Sequence, residues 1–362
     1  MNIKDNTISY LKEYGHLTFQ EKEFNLVDSL ILCQLSYFKL DTIVGGLEEG
    51  KRPVFIKSLR RHPQYEHLYG DTRFEEQYRA FYVALYNSPR FRDISMNYFM
   101  DILDEDMEMQ FSAVTFFMGD WIYIAYRGTD ESIVGWKEDF NMAFMSPIPT
   151  QVAALRYLEK AGDLWKGKIV LGGHSKGGNV AMYAGMECRD EIQNRIFKID
   201  CFDGPGFRDD VYKEEGYLAV ADRIQKIVPE KSFVGMMFQN QIDYKVVKST
   251  GTGALQHDPF TWVIKNGDFE YAEEIYKTSL YKDEAFNKWI CDIPSDQRQV
   301  FVNSLFEIIK GAEAATLIEL TEEWYKSTLA MLSTFKHLDK DTKRSIRKII
   351  LLLFKNGRIS KK

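Results

Sequence analysis

The chain has 362 residues, 45% hydrophobic and 28% charged, with a formal net charge of −6. That length accommodates one large α/β domain with an appendage, and the composition is ordinary for a globular protein. The acidic balance argues against nucleic acid as a partner, because phosphate binding wants a basic face. Four cysteines (Cys33, Cys188, Cys201, Cys291) lie far apart with no ligand-spaced histidines, which argues against a structural zinc site and fits the reduced thiols of a cytoplasmic protein.

The opening residues, MNIKDNTISYLKEYGHLTF, hold no apolar run of signal-peptide length, and nowhere do 18 apolar residues run together, so neither a leader nor a membrane span is expected. Residues 23–45 place apolar side chains at helical spacing before a glycine, and 75–110 read as mainly helical. A β signal follows: FSAVTFF, a turn at Met118-Gly119-Asp120, then WIYIAY. Residues 151–163 predict a helix leading into a strand at Lys168–Leu171, and a further helix runs from Ser175 through Cys188. Three more strands are expected in FKIDCF (197–202), RIQKIV (223–228) and DYKVVKS (243–249). Strands alternating with helices predict a mostly parallel sheet covered on both faces. After about residue 280 the pattern turns helical, through 298–312 and 321–335 to a basic end. The expected division is 1–280 for the sheet domain with its N-terminal helices and 281–362 for a C-terminal helical segment.

Gly173-His174-Ser175-Lys176-Gly177 fits G-x-S-x-G between a strand and a helix rich in small residues, Gly178, Ala181, Ala184 and Gly185. The five-residue pattern is common by itself, and its strand–turn–helix context is what carries weight. A nucleophile on so sharp a turn needs small neighbours two positions either side, hence Gly173 and Gly177. The N–H of Lys176, at the start of the helix, can face a developing oxyanion. The bland reading is a turn serine capping a helix. His174, adjacent on the turn, reads as a packed residue rather than a base.

Upstream, WIYIAY ends in RGTDESIVGWKEDFN. Y-R-G-T…W-K-E-D-F followed by G-H-S-K-G-G resembles the class 3, fungal-type triacylglycerol lipases of the α/β-hydrolase fold. The likeness is closer still to a bacterial lipase-like family of unassigned function that adds FDGPGF and QHDPFTW motifs; the resemblance covers about residues 25–265. It implies an α/β-hydrolase fold, a serine nucleophile and an oxyanion hole in which the N–H of Thr129 joins that of Lys176, with Arg127 and Gly128 shaping the turn. It also implies a lid helix after that turn, where Ile133, Trp136 and Phe140 form one apolar stripe; such a stripe is equally a core-packing pattern.

In the hydrolase order the acid and then the histidine follow the serine. Of the histidines, only His257 and His337 follow Ser175, and His257, in a glycine-rich loop after the last core strand, is the expected base. Asp203, directly beyond the strand FKIDCF, is the preferred acid, with Glu230 after the next strand as the alternative. Asp203 also reads as a turn former and Glu230 as a solvated surface acid. The class 3 lipases have glycine where this chain has Asp203 and an aspartate near Lys231–Ser232, so the resemblance leaves the acid open.

These residues lead to a serine esterase or lipase-like hydrolase acting through an acyl-enzyme on a small-molecule ester or acyl substrate, without metal or organic cofactor. Thioester or amide substrates, or a non-catalytic hydrolase-like binding protein, are the alternatives. From Lys343 the end KRSIRKIILLLFKNGRISKK holds eight basic residues and no acidic one. It could lie on an anionic membrane, but a packed helix with a solvated basic end is the preferred reading.

Overall fold

The computed structural model describes residues 5–69, 75–130, 132–238, 241–273 and 295–310, with single helical residues at 329, 332, 340, 343, 344 and 347. Two units emerge: residues 1–102, 111–128 and 149–287 form the first, and 103–110, 129–148 and 288–362 the second.

The first unit is organised by strands that are largely apolar at their centres, as suits a sheet covered on both faces. They are β1 (Val54–Phe55), β2 (Ser95–Asp104), β3 (Met109–Phe117), β4 (Trp121–Tyr126), β5 (Lys168–His174), β6 (Ile196–Phe202), β7 (Ile224–Pro229) and β8 (Tyr244–Val247). Beyond them come a short hairpin, β9 (Ile264–Lys265) with β10 (Asp268–Phe269), and a last strand, β11 (Tyr271–Ala272). The main sheet runs in the order β1-β2-β3-β4-β5-β6-β7-β8-β11. Strands β4 to β8 are parallel neighbours in chain order, while β3 and β11 pair antiparallel at either side.

Parallel strands laid down side by side in one direction send their right-handed crossovers to one face. That face carries α5 (Pro149–Leu164), α6 (Lys176–Glu187), the single turn α7 (Asp190–Gln193) and α8 (Glu215–Val220). Gly178 and Gly185 of α6 lie against Cys201 and Ile199 of β6. The other face needs a separate cover, and the N-terminal helices supply it: α1 (Thr7–Tyr14), α2 (Leu26–Leu35) and α3 (Glu75–Asn87). The period of two along the strands sorts the side chains accordingly. Val170, Phe202, Ile227 and Val247 join Leu30, Ile31, Phe38 and Phe81 in one buried core.

Two expectations are corrected. The helix predicted over 23–45 is only α2, capped by Asn25, whose side chain accepts from the N–H groups of Val27 and Asp28. Beyond Ser36 the N–H of Lys39 goes to Leu68 O at 2.8 Å, a tertiary bond that a continuing helix would forbid. The helical reading of 75–110 holds for α3, but 95–104 is strand β2, hydrogen-bonded between β1 and β3 in the sheet.

In the second unit, α4 (Ile133–Asn141) is capped by Ser132, and α9 (Ser295–Lys310) matches the helix expected at 298–312. Phe140 of α4 meets Phe306 of α9 edge-on at 5.7 Å, and Arg298 donates to Ala143 O at 2.6 Å. The boundary expected at 280 therefore misses residues 103–110 and 129–148, which group with the C-terminal residues. The helix expected over 321–335 and the basic end from 343 lie outside the described residues, apart from single positions. Among the described residues no helix is long and apolar enough to cross a membrane.

Candidate active site

Ser175 stands between β5 and α6 with φ 59° and ψ −135°, a conformation costly to any residue with a Cβ. The turn is as tight as its glycines predict. A Cβ on Gly173 would overlap the backbone of Gly177, and one on Gly177 would overlap Tyr126 O. The strained turn is held by Ser175 N donating to Phe202 O and Gly178 N to Ser175 O, both at 2.9 Å. Its hydroxyl does not cap α6, so the capping reading fails and the side chain is not spent on the helix. The N–H of Lys176 belongs to the first turn of α6, at the positive end of the helix dipole.

Asp203 follows β6 immediately and is also left-handed, with φ 51°. Its carboxylate is fully buried. Oδ2 lies 2.6 Å from His257 Nδ1, while Oδ1 accepts from Ser232 Oγ and from Gly235 N at 3.1 Å. Three donors leave the carboxylate little freedom. An imidazole that donates through Nδ1 presents Nε2 as an acceptor, the tautomer a general base requires. Glu230 instead accepts from Ser249 N at 3.4 Å. The fold thus brings Asp203 to His257 and leaves Glu230 apart. Among the described residues Ser175 Oγ makes no hydrogen bond to His257.

The loop carrying His257 is tied down on several sides. Gln256 Oε1 accepts from Lys231 N at 2.8 Å, and Trp262 Nε1 donates to Gln256 O at 2.8 Å. His174 Nε2 lies 2.8 Å from His257 O. A carbonyl only accepts, so Nε2 carries the proton and Nδ1 accepts from Tyr37 Oη at 3.1 Å. Burial, with the charge of His257 second, holds the His174 pKa well below the ordinary histidine range. His174 is therefore a neutral strut, its ring 4.6 Å from that of His257, as the packed reading expects.

The acid's own loop is clamped by Asn179 of α6. Its side chain donates to Pro205 O (3.3 Å) and Gly206 O (3.0 Å) and accepts from Gln151 Nε2 (2.8 Å). Arg127 forks onto Asp101 with bonds of 3.0 and 2.8 Å. Gly128 lies against the elbow, where an added Cβ would come within 2.9 Å of Ser175 Cβ. Thr129 belongs to the second unit, and its hydroxyl donates to Asp139 at 2.8 and 2.7 Å from the two oxygens. In that unit Ile133 and Phe140 are buried, so the stripe on α4 serves core packing there.

Ser232, Gly235, Asn179 and Tyr37 escape a sequence reading because each acts through contacts distant along the chain. Lys226 alone carries a local signal: a lysine followed directly by the apolar run Ile227-Val228-Pro229 of its strand.

The Mbeg1-like family model matches residues 85–307. No curated protein matches the chain. Among solved structures, M37 lipase is 16% identical over 59% of this chain and 70% of its own, with a TM-score of 0.37. A Rhizomucor miehei lipase–propeptide complex is 17% identical over 47% and 66%, TM-score 0.32. A fungal lipase–inhibitor complex is 17% identical over 61% and 89%, TM-score 0.37.

Proposed function

Since the chain belongs to the Mbeg1-like family, a lipase-like family, we propose that it is a serine hydrolase of carboxylic esters working through an acyl-enzyme on Ser175. The observation that carries this reading is the 2.6 Å bond between Asp203 Oδ2 and His257 Nδ1, in a unit whose serine sits on a strained strand-to-helix elbow. Ser175 Oγ attacks the substrate carbonyl as His257 Nε2 takes its proton. Asp203 holds the imidazole in that tautomer and stabilises the imidazolium. The oxyanion is received by the N–H of Lys176, at the first turn of α6. The imidazolium protonates the departing alkoxide, and a water activated by the same histidine releases the acid.

The substrate class is a small-molecule ester, with thioesters and amides as variants of the same chemistry. Cys33, Cys188 and Cys201 are free and buried, in keeping with a cytoplasmic location. The missing Ser175–His257 hydrogen bond favours a second reading, a hydrolase-like binding protein without turnover, although such bonds often tighten only when substrate is present. Labelling with a fluorophosphonate separates the two. Wild type should label and hydrolyse short activated esters, and Ser175→Ala should lose both, with at least about a 10³-fold fall in turnover. Equal ester hydrolysis by the two proteins would sink the proposal.

A further inference from the structure

Strand β7 contains a group that the proposed chemistry does not use. Lys226 pairs in register with Cys201 of β6 and is 1% exposed. A lysine is almost never fully buried unless an opposite charge compensates it. Its Nζ donates to Gly235 O at 2.7 Å, and Gly235 N donates to Asp203 Oδ1 at 3.1 Å. One residue therefore links the ammonium to the carboxylate, through its carbonyl on one side and its N–H on the other. The link must be glycine, because a Cβ there would overlap Asp203 Oδ1 and come within 2.8 Å of Ser232 Oγ.

The other titratable groups around this cluster do not balance Lys226. Burial pushes the Cys201 thiol up to about 11 and raises the Tyr212 phenol, so both are neutral at physiological pH. His174 is neutral for the same reason. Asp200 turns to the opposite face, toward Ser29 at 2.6 Å and Lys198 at 3.4 Å. Glu230 is engaged by Ser249 N, Asp258 by Phe260 N, and Lys231 is exposed. Burial lowers the lysine's own pKa, and the nearby Asp203 carboxylate opposes that shift.

We propose that Lys226 is the buried counter-charge of Asp203, a positioning residue that keeps the carboxylate ionised and aimed at His257 through Gly235. Its catalytic consequence rests on the hydrolase reading; the coupling itself does not. Losing the positive charge makes the Asp203 anion costlier and an imidazolium on His257 cheaper. Both effects move the acid limb of a pH–rate profile upward.

Lys226→Gln retains a donor for Gly235 O and removes the charge. Its kcat/KM profile on a short activated ester should show the acid limb displaced upward by roughly half a pH unit or more. An unmoved profile in a folded variant, with only a lower melting temperature, would mark Lys226 as a structural brace and overturn the proposal. A second arm needs neither turnover nor that variant. By ¹⁵N-lysine NMR, Lys226 should titrate at lower pH in Asp203→Asn than in wild type, since the stabilising anion is gone. An unchanged Lys226 titration overturns the coupling, whereas a displaced one in a wild type without ester turnover upholds the coupling and sinks the hydrolase reading alone.

Discussion

Replacing Asp203 by asparagine changes one atom, yet the surroundings dictate a large effect. Gly235 N–H can only donate, and it points at Oδ1 from 3.1 Å. An asparagine must therefore place its carbonyl oxygen there; turning the amide round would set N–H against N–H and leave a buried donor unsatisfied, at a cost of about 1–3 kcal/mol. The NH₂ then occupies the Oδ2 position, 2.6 Å from His257 Nδ1. Nδ1 is forced to accept, its proton moves to Nε2, and the nitrogen that should take the serine proton is already protonated. A wrong-tautomer lesion of this kind costs about 10⁴ in turnover, or roughly 5.5 kcal/mol of barrier. Steady-state kinetics on a short activated ester, with urea unfolding to show that the fold persists, measures it. Glu230→Gln, assayed beside it, should keep most of its activity. Asp203→Asn within about tenfold of wild type, with a large loss for the glutamine variant, would refute the reasoning.

Three further outcomes test the scaffold. Arg90 and Asp28 form a fully buried pair, bonded at 2.8 and 2.5 Å, with Arg90 also donating to the carbonyls of Leu17, Thr18, Lys22 and Glu23; Arg90→Met strands the carboxylate and should cost about 3–5 kcal/mol in urea unfolding. Asn179→Ala frees two buried carbonyls of the acid's loop and should cost about 1–3 kcal/mol, with kcat falling more than KM rises. Because the folded-state pKa of His174 is depressed, the unfolded chain takes up a proton first as pH falls below about 6.5, and stability should drop by about 1.4 kcal/mol per pH unit down to the folded pKa. His174→Asn should remove that part of the slope, read from urea midpoints between pH 7 and pH 5.

The elbow was legible because a strained turn leaves a local mark: small residues at fixed offsets around Ser175, between an apolar strand and a small-residue helix. His257 was legible by elimination, as the one histidine in a loop just after the last core strand. The choice between Asp203 and Glu230 was not decidable that way. It turns on Ser232 and Gly235, which stand beyond the next strand and reach Asp203 only once β6 and β7 lie side by side. The division into units was hidden for a related reason: residues 129–148 find their partners in α9, more than a hundred positions later. The apolar residues of strand β2 also suit a helix, and its place between β1 and β3 in the sheet is what decides.

The N-terminal helices that cover one face of the sheet impose an order on synthesis. The Asn6 side chain donates to Phe260 O, Ile264 N donates to Asp5 O at 2.8 Å, and Ser29 bonds to Asp200. Residues made early thus find their neighbours about 170–260 positions later in the first unit. At about 5–20 residues per second the nascent helix α1 waits roughly 12–50 s before residue 260 is made. During that interval the apolar faces of α1 and α2 have no sheet to rest on, and long loops must close before the contacts reward them. Closing of this unit therefore waits on residues near 260, and the waiting N-terminal segment is where a chaperone would find its grip.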